Sequence, residues 1–163
     1  MVVIVMGVSG SGKTTIGRLL AAELGWPFLE GDDAHPPANV KKMAAGLPLT
    51  DADRLPWLEE LRGRIERCLA EGQNAVVAGS ALKESYRQIL TVGLEGVRYV
   101  YLRGTPELIR ERLEVRQGHF MKAAMLESQL AVLEVPEDAV VVNVAGTPEE
   151  IVAAIIASLS SPP

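Results

Sequence analysis

The residues with the clearest chemical signature form a glycine-rich octet near the start of the chain. Residues 7–14 read Gly-Val-Ser-Gly-Ser-Gly-Lys-Thr, which fits the phosphate-binding pattern G-x-x-x-x-G-K-[ST] without a gap. Glycines let the backbone curl until successive N–H groups point inward, and a following helix adds the positive end of its dipole. An apolar run leads into the octet and a helical pattern leads out of it, as the motif requires. The octet therefore predicts a nucleoside triphosphate site, and the alternative is an ordinary glycine-rich turn between a strand and a helix.

The side chains of this phosphate loop have separate predicted roles. Lys13 would place a positive charge beside the β- and γ-phosphates of ATP, and the Thr14 hydroxyl would bind Mg²⁺. The residues expected to surround the nucleotide are Gly7, Ser9, Gly10, Ser11, Gly12, Lys13, Thr14 and Thr15.

The elements that must position these groups alternate along the chain, with no linker or repeat. Apolar runs predict five strands, at residues 2–6, 27–30, 75–78, 97–102 and 139–144. Helical patterns between them begin near residues 13, 36, 51, 82, 106, 123 and 148. This alternation predicts one α/β domain over residues 1–163: a three-layer P-loop NTPase fold whose five-stranded parallel sheet carries helices on both faces. Ligands of such sheets bind beyond the carboxyl ends of the strands, so residues 30–32, 79–83 and 103–104 should surround the triphosphate.

Composition restricts the class of protein and its partners. The chain has 163 residues, 48% of them hydrophobic, which is enough for one core without disulfides. Its single cysteine, Cys68, allows no disulfide framework and favours an intracellular setting. A net charge of −5 argues against nucleic-acid binding, and no apolar run has the length of a membrane span. We therefore expect a cytoplasmic protein without nucleic-acid or membrane partners.

The absence of other nucleotide-binding motifs excludes several classes of nucleotide-dependent protein. A switch GTPase would carry Asn-Lys-x-Asp and a D-x-x-G after a strand, and this sequence has neither. Motor and transporter ATPases usually end a strand in an acid on the metal side, whereas the third predicted strand ends in Ala78-Gly79-Ser80. A small kinase remains, which needs an acceptor site, an acid near the acceptor hydroxyl and cations over the phosphates.

The order and spacing of several further blocks carry a family resemblance. They are residues 7–14, 31–36, 39, 42–43, 46, 48–54, 56–58, 80–83, 86–87, 118–121, 128–129 and 133–134. Together they resemble the gluconokinases, members of the shikimate-kinase and nucleoside-monophosphate-kinase group, and the match covers about residues 2–156. The resemblance implies transfer of the ATP γ-phosphoryl group to the 6-hydroxyl of D-gluconate, giving 6-phosphogluconate. It also implies a homodimer.

Two acidic residues, one at the end of the second strand and one just beyond it, have expected roles beside the phosphate loop. Asp32 would hydrogen-bond the acceptor hydroxyl and take its proton late in the transfer, or else act only as an N-cap of the next helix. Glu30 would hold Mg²⁺ through water, replacing the acid missing from the third strand. The alternative for Glu30 is a solvated strand end.

A polyhydroxylated acid such as gluconate needs cations and hydrogen-bonding groups around it. Arg54, Lys83 and Arg87 are expected to bind it, with Ser80 beside Lys83. The alternative for each cation is a surface ion pair, for Arg54 with an acid of its own helix.

The histidines and the later arginines complete the expected site. His35 and His119 lack the company of a zinc site, so they are expected to hydrogen-bond substrate or a lid. Arg112 and Arg116 lie four residues apart on one helix face and are expected to neutralise the γ-phosphate when a small helical lid, about residues 116–133, closes about Gly118. The alternative is an ordinary amphipathic helix with ion-paired arginines.

The sequence departs from the family pattern at a few positions. Gly79 stands where family members often have Cys, Asn143 where Asp is common, and residues 122–124 read Lys-Ala-Ala in the lid. Two other functions stay open: a kinase of another small hydroxylated acid such as shikimate, and a regulatory nucleotide-binding protein without turnover. The glycine-rich stretch of shikimate kinases near the third strand is replaced here by residues 80–83, which disfavours the first of these.

Overall fold

The central sheet is formed by the most apolar segments of the chain. A computed structural model describes residues 1–115 and 120–160. Its five strands are β1 (Val2–Met6), β2 (Phe28–Glu30), β3 (Ala75–Ala78), β4 (Val97–Arg103) and β5 (Val140–Asn143). They lie in the order β2-β3-β1-β4-β5, and every neighbouring pair is parallel.

The helices described by the structure are α1 (Lys13–Leu24), α2 (Pro37–Ala44), α3 (Asp51–Ala70), α4 (Glu84–Thr91), α5 (Pro106–Val115), α6 (Phe120–Val132) and α7 (Pro148–Ser160). A short 3-10 helix, Gly31–Ala34, follows β2 and was not expected from the sequence. Helix α4 begins at Glu84 and not at Leu82, because Ala81 adopts a positive φ of 39° and keeps the preceding turn out of helical geometry.

The core has two layers because alternate residues of β1 point to opposite faces of the sheet. Val2, Ile4 and Met6 pack with α3 and α4, whereas Val3 and Val5 pack with α1 and α7. All five residues of β1 are completely buried, which explains why the strand reads as a continuous apolar run. The expected three-layer fold, with a parallel sheet between helices, is confirmed.

A third, smaller apolar cluster lies beside the phosphate loop. Val8 and Leu82 pack there against Ile109 and Leu113 of α5 and against Leu126 of α6. The loops after β1 and β3 therefore share one apolar support.

No helix within residues 1–115 and 120–160 combines the length and the apolar character that crossing a bilayer requires.

Candidate active site

The phosphate loop joins the central strand β1 to α1, so it emerges at the carboxyl edge of the sheet. Gly10 has φ +81°, and a Cβ added there would lie 2.8 Å from Cγ of Leu113, so conformation and space both require glycine. Nζ of Lys13 donates to the Val8 carbonyl at 3.1 Å, across the loop. Ser11 is buried, and within the described part of the chain its hydroxyl lacks a hydrogen-bond partner that bound phosphate could supply.

Thr14 and Glu30 meet at the end of the phosphate loop. The Thr14 hydroxyl donates to Oε2 of Glu30 at 2.7 Å. The contact forms because α1 begins at Lys13 and β2 ends at Glu30, two strands away from β1 in the same sheet. A hydroxyl and a carboxylate at this distance are the hard oxygen donors that suit Mg²⁺, which usually takes few protein ligands beside substrate phosphates. The residues present therefore fit the metal that the phosphate loop implies.

The 3-10 helix after β2 carries Asp32 to the open side of the site. A Cβ on Gly31 would lie 2.2 Å from the Ala78 carbonyl oxygen, so only glycine allows this approach to β3. Trp57 then fixes the turn from the other side, because its Nε1 donates to the Gly31 carbonyl at 2.7 Å. With its neighbour held in this way, the Asp32 side chain stays 74% exposed and available to a ligand.

His35 is held in one orientation by its neighbours. Its ring stacks on Trp57 with 4.6 Å between centroids, and its side chain is 6% exposed. The amide nitrogen of Asn39 donates to the Asp53 carbonyl at 2.8 Å and lies 3.2 Å from Nδ1 of His35. Because that nitrogen can only donate, Nδ1 accepts and Nε2 carries the proton, 4.0 Å from Oδ1 of Asp32. Burial lowers the pKa of His35 below 6.5 despite the opposing charge of Asp32, so the ring is neutral at pH 7.

A polar cluster faces this region from α3 and α4. Nζ of Lys83 lies 3.2 Å from Oδ1 of Asp51, and the Tyr86 hydroxyl donates to the same oxygen. Nη1 of Arg54 donates to the Tyr86 hydroxyl at 3.3 Å and to the Leu49 carbonyl at 2.6 Å. These hydrogen bonds, from Tyr86 first and then Lys83, lower the pKa of Asp51, and the hydrogen bond to Asp51 raises that of Lys83. The structure thus places Arg54 and Lys83 in one cluster with the carboxylate of Asp51, and their contact with an acceptor stays a prediction.

Ser80 follows β3, lies at the expected edge of the sheet and is half-buried.

Arg87 makes different contacts from the other two predicted cations. It is 3% exposed, and its guanidinium binds Oε2 of Glu84 at 2.7 Å and the carbonyls of Ala81 and Leu82 at 2.9 and 3.2 Å. These contacts hold the turn before α4 and are local, since all partners lie within six residues. The structure assigns Arg87 to the support of this turn, and its direct contact with an acceptor stays a prediction.

Arg112 lies on the nucleotide side of the loop. Its Nη2 donates to the Val144 carbonyl at 2.5 Å, which ties α5 to the segment after β5. It also lines a cleft of about 510 Å³ between the phosphate loop, α5 and the start of α7, together with Gly10, Gly12, Thr15, Gly146 and Pro148. Among the residues predicted to bind nucleotide, Thr15 is thereby placed in a cavity beside the loop.

Arg116, His119 and the hinge at Gly118 lie outside the described residues, so their predicted roles stay predictions. Helix α6 belongs to the segment expected to form the lid, and two of its described side chains, Leu126 and Gln129, contact Val8 and Ser9 of the phosphate loop.

Several residues of the site were not singled out from the sequence. Trp57, Asn39 and Tyr86 each support a predicted residue, and Gln129 of α6 accepts a hydrogen bond from the Ser9 N–H at 2.6 Å. All four residues lie within the blocks that carry the resemblance, so the signal was present, but spacing alone does not reveal contacts such as those 26 and 120 residues apart.

Comparison with known proteins agrees with this arrangement. Residues 2–136 match the family described as "AAA domain". The chain is 49% identical to the gluconokinase of Gluconobacter oxydans (strain 621H) over 144 residues, 88% of this chain and 81% of that protein. The crystal structure of a gluconokinase from Sinorhizobium meliloti 1021 has a TM-score of 0.85 and 44% identity, covering 97% of this chain and 90% of that one. Shikimate kinase from Aquifex aeolicus shares the fold alone. Its TM-score is 0.64 at 21% identity, and the match covers 98% of this chain and 96% of that one. The chain belongs to the gluconokinase family.

Proposed function

We propose that this protein is a gluconokinase, which transfers the γ-phosphoryl group of ATP directly to the 6-hydroxyl of D-gluconate. The observation that carries the proposal is the pairing of a complete phosphate loop with an exposed carboxylate, Asp32, and the cationic cluster of Arg54 and Lys83 on the acceptor side. A protein that only binds nucleotide has no need of this second set of groups. Membership of the gluconokinase family supports the choice of acceptor.

The nucleotide would lie along the phosphate loop with its base in the adjoining cleft. The loop N–H groups and Lys13 bind the phosphates, while Gly146 and Pro148 line the cleft near α7. Thr14 and Glu30 would hold Mg²⁺ between them, Glu30 through water. When bound, the ion neutralises charge on the β- and γ-phosphate oxygens.

The acceptor would bind between the 3-10 helix and the cluster on α3 and α4. Arg54 offers a planar guanidinium for the gluconate carboxylate, and Lys83 adds a second positive charge. Neutral His35 can donate from Nε2 to a hydroxyl near Asp32, and Ser80 can complete the contacts.

Transfer then requires that Asp32 receives the proton of the attacking hydroxyl as the new P–O bond forms and the bond from the γ-phosphorus to the bridging oxygen breaks, with ADP as the leaving group. A late proton transfer suits a loose phosphoryl-transfer transition state, in which positioning and charge neutralisation supply most of the catalysis. Arg112 and Arg116 would neutralise the transferred group and His119 would contact the acceptor, as the part of the expected lid that precedes Leu126 closes.

An acceptor panel tests the proposal. ATP consumption with Mg²⁺ is measured for D-gluconate, shikimate, other sugar acids, nucleoside monophosphates and a control without acceptor. Turnover confined to gluconate, with 6-phosphogluconate as the product, is expected. Turnover on a different acceptor would keep the phosphate chemistry and refute the substrate, and ATP binding without any turnover would refute the kinase function.

The resemblance further supports a homodimer, for which light scattering on a sizing column should give twice the mass of the 17.5 kDa chain. A mass of one chain at all concentrations would contradict it.

A further inference from the structure

The turn between β3 and α4 is held in a strained shape at the edge of the acceptor cluster. Ala81 has φ 39°, a left-handed conformation that non-glycine residues rarely adopt and that persists where surrounding contacts impose it. Arg87 binds the carbonyls of Ala81 and Leu82 from inside the fold. Lys83, which follows Leu82, is one of the two cationic residues expected to bind the acceptor. The shape of the turn therefore sets the position of its charge.

A second set of contacts reaches this turn from the far end of α6. The Glu134 N–H donates to the Leu82 carbonyl at 2.8 Å, and Oε2 of Glu134 accepts from the Glu84 N–H at 2.6 Å. Lys83, at the N-cap of α4, makes no side-chain capping bond, and its ammonium has no acceptor with which to make one. Glu134 therefore caps α4 from 50 residues away, and its negative charge lies at the positive end of the helix dipole.

The same segment is seated on the phosphate loop. Oε1 of Gln129 accepts from the Ser9 N–H at 2.6 Å, and its Nε2 donates to the Ser9 hydroxyl at 3.3 Å. Three residues before Gln129, Leu126 of α6 is completely buried in the apolar cluster that contains Val8 of the phosphate loop and Leu82 of the turn. One segment, residues 126–134, thus contacts both halves of the site.

We propose that Gln129 and Glu134 are positioning residues that fix the acceptor turn relative to the phosphate loop through α6. Neither side chain needs to touch the reacting atoms. Glu134 fixes the turn before α4 and with it the position of Lys83. Gln129 fixes the position of α6 on the phosphate loop. Displacement of α6 at either end would therefore change acceptor binding.

The test compares Glu134→Ala with Glu134→Gln, whose amide oxygen can still accept from the Glu84 N–H. The Ala variant should raise the KM for gluconate roughly tenfold, the effect of one charge-assisted hydrogen bond, while the Kd for ADP stays within about twofold. Glu134→Gln should recover most of the loss. Glu137→Ala, an exposed acid on the same loop, is the matched control and should match the wild type.

The other end of the link is tested separately. Gln129→Ala should also raise the KM for gluconate, although Gln129 contacts the phosphate loop. The control, Ser128→Ala, loses only a hydrogen bond within its own helix and should leave this KM unchanged. Because both residues act through one helix, the double variant should be less impaired than the product of the two single effects. Hydrogen exchange should show faster exchange at residues 81–84 in Glu134→Ala, which is a readout independent of turnover.

The inference rests on the proposed function, and the two fail in different ways. A wild-type protein inactive on gluconate refutes the function before any variant is compared. If the wild type turns over, a KM within twofold in both Ala variants overturns the inference. So does a Glu134→Gln variant as impaired as Glu134→Ala, or a KM rise matched by an equal loss of ADP affinity. If Glu134→Ala does not fold, the Gln129→Ala and Ser128→Ala pair decides the outcome.

Discussion

Individual side chains in this site take their properties from neighbours that are distant in the sequence. The Thr14 hydroxyl donates to Glu30, and both belong to elements that start or end at the carboxyl edge of the sheet. His35 is neutral because it is packed on Trp57 and largely removed from water. Each contact changes what the side chain can do: the first creates a pair of oxygen donors, and the second creates a donor that carries no charge.

Replacing Glu30 by Gln should weaken the binding of Mg²⁺ at the phosphate loop. The amide lacks the negative charge that would orient metal-bound water, so the Mg²⁺ concentration for half-maximal activity should rise by about 10–100-fold, the usual effect of losing an outer ligand. Titration of activity with Mg²⁺ at saturating ATP and gluconate measures it. Glu23→Gln, an exposed acid on α1, is the control, and equal Mg²⁺ requirements in both variants would contradict the assignment.

The stability of the protein should fall as the pH drops below about 6.5, because of His35. Its pKa is lower in the folded protein than the ordinary value of 6.5, so between these two values the unfolded chain binds the additional proton. The contribution of neutral His35 to the free energy of unfolding is therefore fully present above pH 6.5. It is lost as the pH falls toward the pKa of His35 in the folded protein. Urea unfolding from pH 7.5 to 5 should show this slope, and His35→Phe, which keeps a ring beside Trp57, should flatten it. An unchanged slope in the variant would exclude His35 as the cause.

Among the secondary-structure elements, the start of α3 determines the positions of Asp51 and Arg54. Helix α3 begins with a capping box, in which Thr50 accepts from the Asp53 N–H at 3.1 Å and Asp53 accepts from the Thr50 N–H at 2.9 Å. The hydrogen bond from Lys42, with that from the Thr50 backbone, lowers the pKa of Asp53 to about 2. The cap thus joins α2 to the start of α3, from which Asp51 and Arg54 project.

Thr50→Ala should cost about 1 kcal/mol of stability, the usual effect of losing a threonine N-cap. Thr50→Ser keeps the hydroxyl and should lose only a small part of that amount. The free energy of unfolding in urea at pH 7 measures both variants. Equal stability of Ala and Ser at this position would show that the cap does not hold α3.

What the sequence could predict at this scale depends on whether the signal is local. The strand at residues 2–6 and the helix that begins at residue 13 follow from short patterns, and the structure confirms both. The late start of α4 could not be predicted, because the shape of the preceding turn is imposed by Arg87 and Glu134. The local role of Arg87 was missed for the same reason: its sequence neighbours do not show that the guanidinium faces inward.

At the scale of the whole molecule, the sheet order brings the two halves of the site together. Strand β1 lies between β3 and β4, so the phosphate loop emerges beside the loop after β3, and β2 follows at the edge. The phosphate loop follows the first strand, and Asp32, Arg54 and Lys83 lie in the segments after β2 and β3. Sequence alternation predicted this arrangement, since parallel strands carry their loops to one edge, but it could not give distances across the edge.

If the carboxylate of Asp32 takes part in the transfer of phosphate to the acceptor, its removal should slow turnover without weakening nucleotide binding. Asp32→Asn and Asp33→Asn remove one charge each from adjacent exposed residues of the same 3-10 helix. Steady-state kinetics with gluconate and ADP binding are measured for both. We predict that Asp32→Asn lowers kcat by roughly 10²–10⁴-fold, the usual contribution of a general base, with the Kd for ADP unchanged, while Asp33→Asn resembles the wild type. A kcat for Asp32→Asn close to that of Asp33→Asn would contradict the account.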